Sequence, residues 1–298
     1  MFDALVRWFR GPPVCTERSV LCASPGGLHR MAYTEWGDPD NPEVVVCVHG
    51  LTRNGRDFDV LAQALAGRYR VICPDVVGRG RSDWLGNPSG YGFPQYVADM
   101  VTLLARLDVP GVHWVGTSMG GLIGMFIASL EGSPIRRMVL NDVGPLISGV
   151  SIVRIGEYVG KAPLFPNLEA AEQYLRMVNA PFGKLSDAQW RHLALHSVQQ
   201  REDGQWSMRY DPGIGEPFRT AMGFHDVDLW PVFDKMVCPL LIVRGAESDL
   251  LSRDTAEAMT RRGPGGELVE FSGVGHAPMF MAPDQIAAVA RFLSAASN

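Results

Sequence analysis

An alternation of two residue patterns limits the fold of this chain more than any other feature. Short β-branched apolar runs recur at Glu43–Val48, Tyr69–Pro74, Gly111–Gly116, Arg136–Leu140, Pro239–Val243 and Glu267–Phe271. Segments with helical spacing of apolar residues separate or follow them, at Phe58–Leu65, Tyr96–Leu107, Leu122–Leu130, Asp254–Arg261 and Asp284–Leu293. Apolar runs that do not alternate with polar residues are buried on both faces. A strand–helix–strand succession closes by right-handed crossovers, so the pattern predicts an α/β fold with a mostly parallel sheet and helices on both faces. Ahead of it, Val14–Leu21 and Leu28–Trp36 flank Ser24-Pro25-Gly26-Gly27, which predicts an antiparallel hairpin at a sheet edge.

The alternation breaks once, between Leu140 and Pro239. Helical patterns at Ile152–Val159, Leu168–Val178 and Asp187–Leu195 fill the gap, punctuated by Pro163, Pro166, Pro181 and Gly183. Long interruptions of a compact domain usually carry function, so residues 145–225 are expected to form a helical lid inserted into a core of residues 1–144 and 226–298. With 298 residues, 46% of them hydrophobic, the chain can bury a core of that size. Residues 1–10 intersperse Asp3, Arg7 and Arg10 among apolar residues, which predicts a short docking helix rather than a signal peptide.

Charge removes whole classes of partner. A net charge of -5, with 27 scattered Lys and Arg residues, gives no footprint for nucleic acid. No apolar run reaches the length of a membrane span. The five cysteines are an odd number, and three lie in strand-like runs where a reduced thiol packs as a small apolar group, so a cytoplasmic location is expected.

The chemistry concentrates at Gly116-Thr117-Ser118-Met119-Gly120-Gly121, directly after one apolar run and directly before a helical one. A Gly-x-Ser-x-Gly pentapeptide in that context describes a nucleophile elbow, a turn so sharp that glycines are needed while the serine hydroxyl is thrust outward. A serine hydroxyl needs a base to take its proton and a carboxylate to orient that base. His276, in a glycine-rich loop after the last strand, is the expected base. His29, His49 and His113 precede Ser118, the wrong chain order for this arrangement. His192 and His196 lack the Glu of a His-Glu-x-x-His motif and read as ordinary helix residues, so no metal site is expected. Asp249, on the loop after Pro239–Val243, is the expected acid. Asp142 competes from the end of the preceding strand but reads as a structural hydrogen-bonding residue, and Glu247 reads as a solvated loop carboxylate. The backbone N–H groups of Met119 and Leu51 are the expected oxyanion donors, with Gly50 allowing close approach.

Together His49-Gly50, the turn Pro74-Asp75-Val76-Val77-Gly78-Arg79-Gly80-Arg81-Ser82-Asp83, the Ser118 elbow, Asp249 and Gly275-His276 resemble the α/β-hydrolase superfamily over nearly the whole chain. The resemblance implies an oxyanion hole at the His-Gly segment and a structural role for Asp75 and Ser82. Superfamily members that form alkyl-enzymes attack with aspartate at the elbow, which does not match Ser118. Carbon–carbon hydrolases of ring-cleavage diketones share the Ser-Met-Gly-Gly run but carry Asn where this chain has Thr117. The expected activity is therefore a cofactor-free serine hydrolase of a small or medium carboxylic ester. A diketone hydrolase and a non-turnover receptor for small molecules on the same fold are the alternatives. Leu146, Ile155, Tyr158, Leu164, Phe165 and Trp190 suggest an apolar pocket, although each reads as core-facing first. Arg53 reads as a surface residue with a possible role toward a substrate carboxylate.

Overall fold

The computed structural model describes residues 15–220 and 225–295. The helix expected at residues 1–10 lies outside the described residues. Eight strands form the main sheet: β1 (Cys15–Ser24), β2 (Gly27–Trp36), β3 (Val44–Val48), β4 (Arg70–Pro74), β5 (Val112–Thr117), β6 (Ile135–Asn141), β7 (Leu240–Gly245) and β8 (Glu267–Phe271). Their spatial order is β1-β2-β4-β3-β5-β6-β7-β8. The edge hairpin β1–β2 and the β2–β4 pairing are antiparallel, and the remaining pairings are parallel. Among the described residues, the helices of seven or more residues are α1 (Asp59–Leu65), α2 (Phe93–Leu107), α3 (Met119–Ala128), α4 (Gly149–Tyr158), α5 (Leu168–Val178), α6 (Asp187–Ser197), α7 (Arg253–Met259) and α8 (Pro283–Ser294), with shorter ones at Glu216–Thr220 and Trp230–Phe233.

Strand β3 shows why its run lacks polar residues. Val44, Val46 and Val48 join a core with Met100, Trp114 and Ile123 on one face, while Val45 and Cys47 join Leu61, Val289 and Phe292 on the other. Successive side chains point to opposite faces, and both faces are covered: α2, α3 and α7 pack on the first, α1 and α8 on the second. Helix α2 begins three residues before its expected start because Pro94 occupies its first turn, where a missing N–H costs nothing. It buries Tyr96, Met100, Leu103 and Leu107 along one stripe and ends where Asp108 turns left-handed at φ 51°.

Register aligns the carboxyl ends of the parallel strands. Val48 lies beside Gly116, Thr117 beside Asn141, Asn141 beside Val243, and Gly245 beside Phe271. The loops that leave these strands therefore share one edge of the sheet, where open α/β sheets form their ligand crevice.

Helices α4, α5 and α6 fall in the insertion between β6 and β7, on the segments expected to be helical. A capping box of Ser186 and Gln189 starts α6. Three short strands add to them, Leu164–Phe165, Val198–Gln200 and Trp206–Met208, pairing antiparallel with the last in the middle. Leu146–Ile147 pairs antiparallel with Val227–Asp228, which ties the two ends of the insertion together. Strands of two or three residues are too short to show alternation, so the sequence pattern did not reveal them. Among the described residues, no helix is long and apolar enough to cross a membrane.

Candidate active site

Ser118 sits between β5 and α3 with φ 52° and ψ −117°, a backbone conformation that L-residues rarely adopt. Its N–H donates to the Asn141 carbonyl at 3.0 Å, which fixes the turn against β6. The flanking glycines are there because nothing larger fits. A Cβ on Gly116 would lie 2.4 Å from the Gly120 carbonyl oxygen, and one on Gly120 would lie 2.0 Å from that of Val48.

The structure brings His276 to Ser118, with Nε2 3.0 Å from the hydroxyl Oγ. The other ring nitrogen, Nδ1, lies 2.7 Å from Oδ2 of Asp142. A carboxylate only accepts, so Nδ1–H donates to it and the Nε2 lone pair faces the serine hydroxyl. Asp142 is fully buried, and its oxygens also accept from the Gly245 N–H at 2.9 Å and the Ser248 hydroxyl at 2.6 Å. These donors replace the water that a buried carboxylate loses. Asp142 adopts φ 55°, a conformation aspartate tolerates better than most residues, and its own N–H donates to the Val243 carbonyl at 2.8 Å.

The expectation placed on Asp249 is not met. Its side chain is half exposed and forms an ion pair with Arg154 of α4, while the imidazole of His276 is held by Asp142. Position along the loops explains the exchange. Asp142 follows the last residue of β6 directly, so the sheet fixes it, whereas Asp249 lies four residues past the end of β7 on a projecting loop. Ser248, beside Asp249, does reach the site through its hydroxyl. Glu247 is exposed, as expected.

The loop that follows β3 is braced from behind. Both Leu51 and Met119 line the cavity above the serine, while a Cβ added to Gly50 would meet that of Ser118 at 3.7 Å, an ordinary contact, so the close approach expected at Gly50 does not by itself require glycine. The buried imidazole of His49 accepts the Val76 N–H at 2.9 Å through Nε2 and donates through Nδ1 to the Gly50 carbonyl at 2.7 Å. Buried Arg79 donates to the Leu51 carbonyl at 2.8 Å. Asn141 donates to Thr117 Oγ1 and to the Pro278 carbonyl, joining the elbow to the histidine loop. Asp75 accepts the N–H groups of Gly55 and Arg81, the structural bracing expected of it.

Burial pushes the His49 imidazole down to about 3, so it is neutral across the physiological range. The unfolded chain takes up that proton below about pH 6.5, whereas the folded chain holds it off until about pH 3. Stability from this group is thus complete above pH 6.5 and falls with acidification, by roughly 2 kcal/mol at pH 5. Urea titrations of the protein and of His49→Gln should show it. The variant starts less stable at pH 7.5 but loses less between pH 6.5 and 5, and parallel slopes would contradict the assignment.

Above Ser118 opens a cavity of about 720 Å³. Ile155 and Tyr158 of α4 line it, while Phe165 packs against Tyr174 of α5, Trp190 joins Met279 and Met281 in a cluster between the insertion and the core, and Leu146 and Leu164 are exposed. Arg53 is buried rather than on the surface. It forks onto Asp57 at 2.8 and 2.7 Å and lies over the Phe182 ring. Two groups offer three possible metal ligands each, Asp59 with His192 and His196, and Cys22 with His29 and Asp99. Arg56 already forks onto Asp59, and His29 bonds Asp99 at 2.9 Å inside the core; neither group lines the cavity.

Residues 45–289 match the model of the alpha/beta hydrolase family. The chain belongs to that family. This hydrolase is 51% identical over 284 residues to a 3-hydroxybutyrate-oligomer hydrolase of Cupriavidus necator, covering 93% of this chain and 97% of the relative. Among solved structures, it resembles an alpha/beta hydrolase of Novosphingobium aromaticivorans with a TM-score of 0.83 and 38% identity, covering 95% of this chain and 99% of the other. A putative hydrolase of Rickettsia typhi superposes with a TM-score of 0.87 at 32% identity, covering 95% of this chain and all of the other.

Proposed function

We propose that this hydrolase cleaves the ester bonds of short 3-hydroxyacid oligomers through an acyl-enzyme on Ser118. The observation that carries the reading is the hydrogen-bonded series Ser118–His276–Asp142 at the floor of the cavity. The relative at 51% identity over nearly its full length supports the substrate class. His276 Nε2 takes the hydroxyl proton as Oγ attacks the ester carbonyl, and Asp142 steadies the resulting imidazolium. The N–H groups of Leu51 and Met119 receive the oxyanion. The imidazolium then gives its proton to the departing alkoxide, which leaves as an alcohol. Water, deprotonated by the same nitrogen, releases the acid and restores Ser118. The insertion acts as a lid whose α4 and α5 wall the acyl and alcohol chains. Five unpaired cysteines, four of them buried, support a cytoplasmic setting.

A fluorophosphonate should label one peptide, that of Ser118, and the enzyme should release 3-hydroxybutyrate from the dimer and trimer. Labelling elsewhere removes the mechanism. Rapid turnover of p-nitrophenyl butyrate with none of the oligomers removes the substrate class.

A further inference from the structure

The cavity is mostly apolar, and its charged side chains fall into two pairs that differ in kind. Among the described lining residues, the permanent cations are Arg53 and Arg154. Arg53 is buried and forks onto Asp57 through Nε and Nη2, and Asp57 is buried as well, so among the described residues this pair is charge-neutral and both partners are held in place. Arg154 is different. It projects from α4 with its side chain 41% exposed, and its ion-pair partner among the described residues, Asp249, is 55% exposed. A guanidinium has five N–H donors, more than one carboxylate can use.

The same helix presents Ile152, Ile155 and Tyr158 to the cavity beside Arg154. It is also held in place. Ser148 caps its start, the Gly149 N–H donates to Asp226 at 2.9 Å, and the Ser151 hydroxyl donates to the Asp249 carbonyl at 3.2 Å. Apolar surface and an accessible cation thus sit on one anchored element. A 3-hydroxyacid oligomer has the matching chemistry, a string of uncharged esters ending in a single carboxylate that is ionised at neutral pH. Entering an apolar cavity costs that carboxylate its water unless a cation replaces it.

Resting on the substrate class proposed above, we infer that Arg154 binds the terminal carboxylate of the oligomer and that Asp249 tempers this grip by competing for the same guanidinium. Holding the acid end on α4 selects which ester bond meets Ser118. Asp249, which leaves His276 to Asp142, then acts in specificity rather than in proton transfer.

The test compares the 3-hydroxybutyrate trimer as free acid with its methyl ester. Arg154→Ala should raise KM for the free acid about tenfold or more, the worth of a charge-assisted contact, and leave the methyl ester within about twofold. Arg154→Lys, which keeps a point charge, should restore part of the loss. Asp249→Asn should lower KM for the free acid, since a repelling charge is gone, with kcat unchanged. Equal loss on both trimers in Arg154→Ala, or no loss on either, overturns the inference while the hydrolase reading stands. A wild-type enzyme that cleaves p-nitrophenyl butyrate but neither trimer overturns the substrate class and the inference with it. Thermal melting of each variant separates altered recognition from unfolding.

Discussion

Asp142→Asn is expected to lower kcat for ester hydrolysis by about 10⁴-fold with the fold intact. The carboxylate accepts the Nδ1–H of His276, so the proton sits on the side away from Ser118. A carboxamide can turn its NH2 toward the ring instead. Nδ1 must then accept, the proton moves to Nε2, and the nitrogen 3.0 Å from Ser118 Oγ can no longer take the hydroxyl proton. The amide oxygen can still accept from the Gly245 N–H or the Ser248 hydroxyl, so the melting temperature should fall only modestly. Fluorophosphonate labelling of Ser118 should slow in step with kcat, because both need the activated hydroxyl. The paired control is Asp249→Asn, which removes only an exposed ion pair and should leave kcat on a neutral ester within about twofold. If Asp249→Asn is the damaging change and Asp142→Asn is mild, the observed hydrogen bonds are not those of the working enzyme.

The fold was legible wherever a long segment obeyed one period. All six runs became strands, five of them largely buried, because a central parallel strand such as Val44–Val48 has to be apolar at every position, whereas Glu267–Phe271 forms the sheet's edge and none of its residues is buried. The short strands of the insertion left no such trace, since their pairing is decided by neighbours rather than by pattern. Ser118 and His276 were legible for a local reason. An elbow needs its glycines, as the 2.0 Å approach of a Gly120 Cβ to Val48 makes plain, and Gly275 of the histidine loop is tightly packed under Pro181, where an added Cβ would lie 3.0 Å from that of the proline. The carboxylate that holds His276 was not legible. Any carboxylate on the loops after β6 or β7 satisfies the chain order, and only the sheet register, which sets Asn141 beside Val243 and so Asp142 at the rim, decides between them. The supports of the site were equally hidden. His49, set aside on chain order as a base, instead clamps the loop after β3, and Arg79, part of a turn motif, holds the Leu51 carbonyl from 28 positions away. Both roles depend on contacts distant in sequence.

Ser118→Ala should have the largest effect, a fall in kcat of about 10⁶-fold, because without Oγ no acyl-enzyme forms and His276 has no proton to take. Active-site titration is needed to discount traces of wild-type enzyme, and retention of more than about one hundredth of the activity would remove Ser118 as nucleophile. Substrate binding should survive, since the cavity walls and the loop at Leu51 are untouched. The same position allows a test of strain. At φ 52° and ψ −117° any residue with a Cβ is forced, at a cost of order 1–3 kcal/mol, whereas glycine adopts this backbone freely. Ser118→Gly gives back roughly 0.5–1 kcal/mol of that relief through the larger freedom of its unfolded chain. The net expectation is that Ser118→Gly melts higher than Ser118→Ala although both are inactive. A glycine variant no more stable than the alanine variant would mean that the elbow stores no strain. The exposed hydroxyl would then owe its position to Gly116 and Gly120 alone.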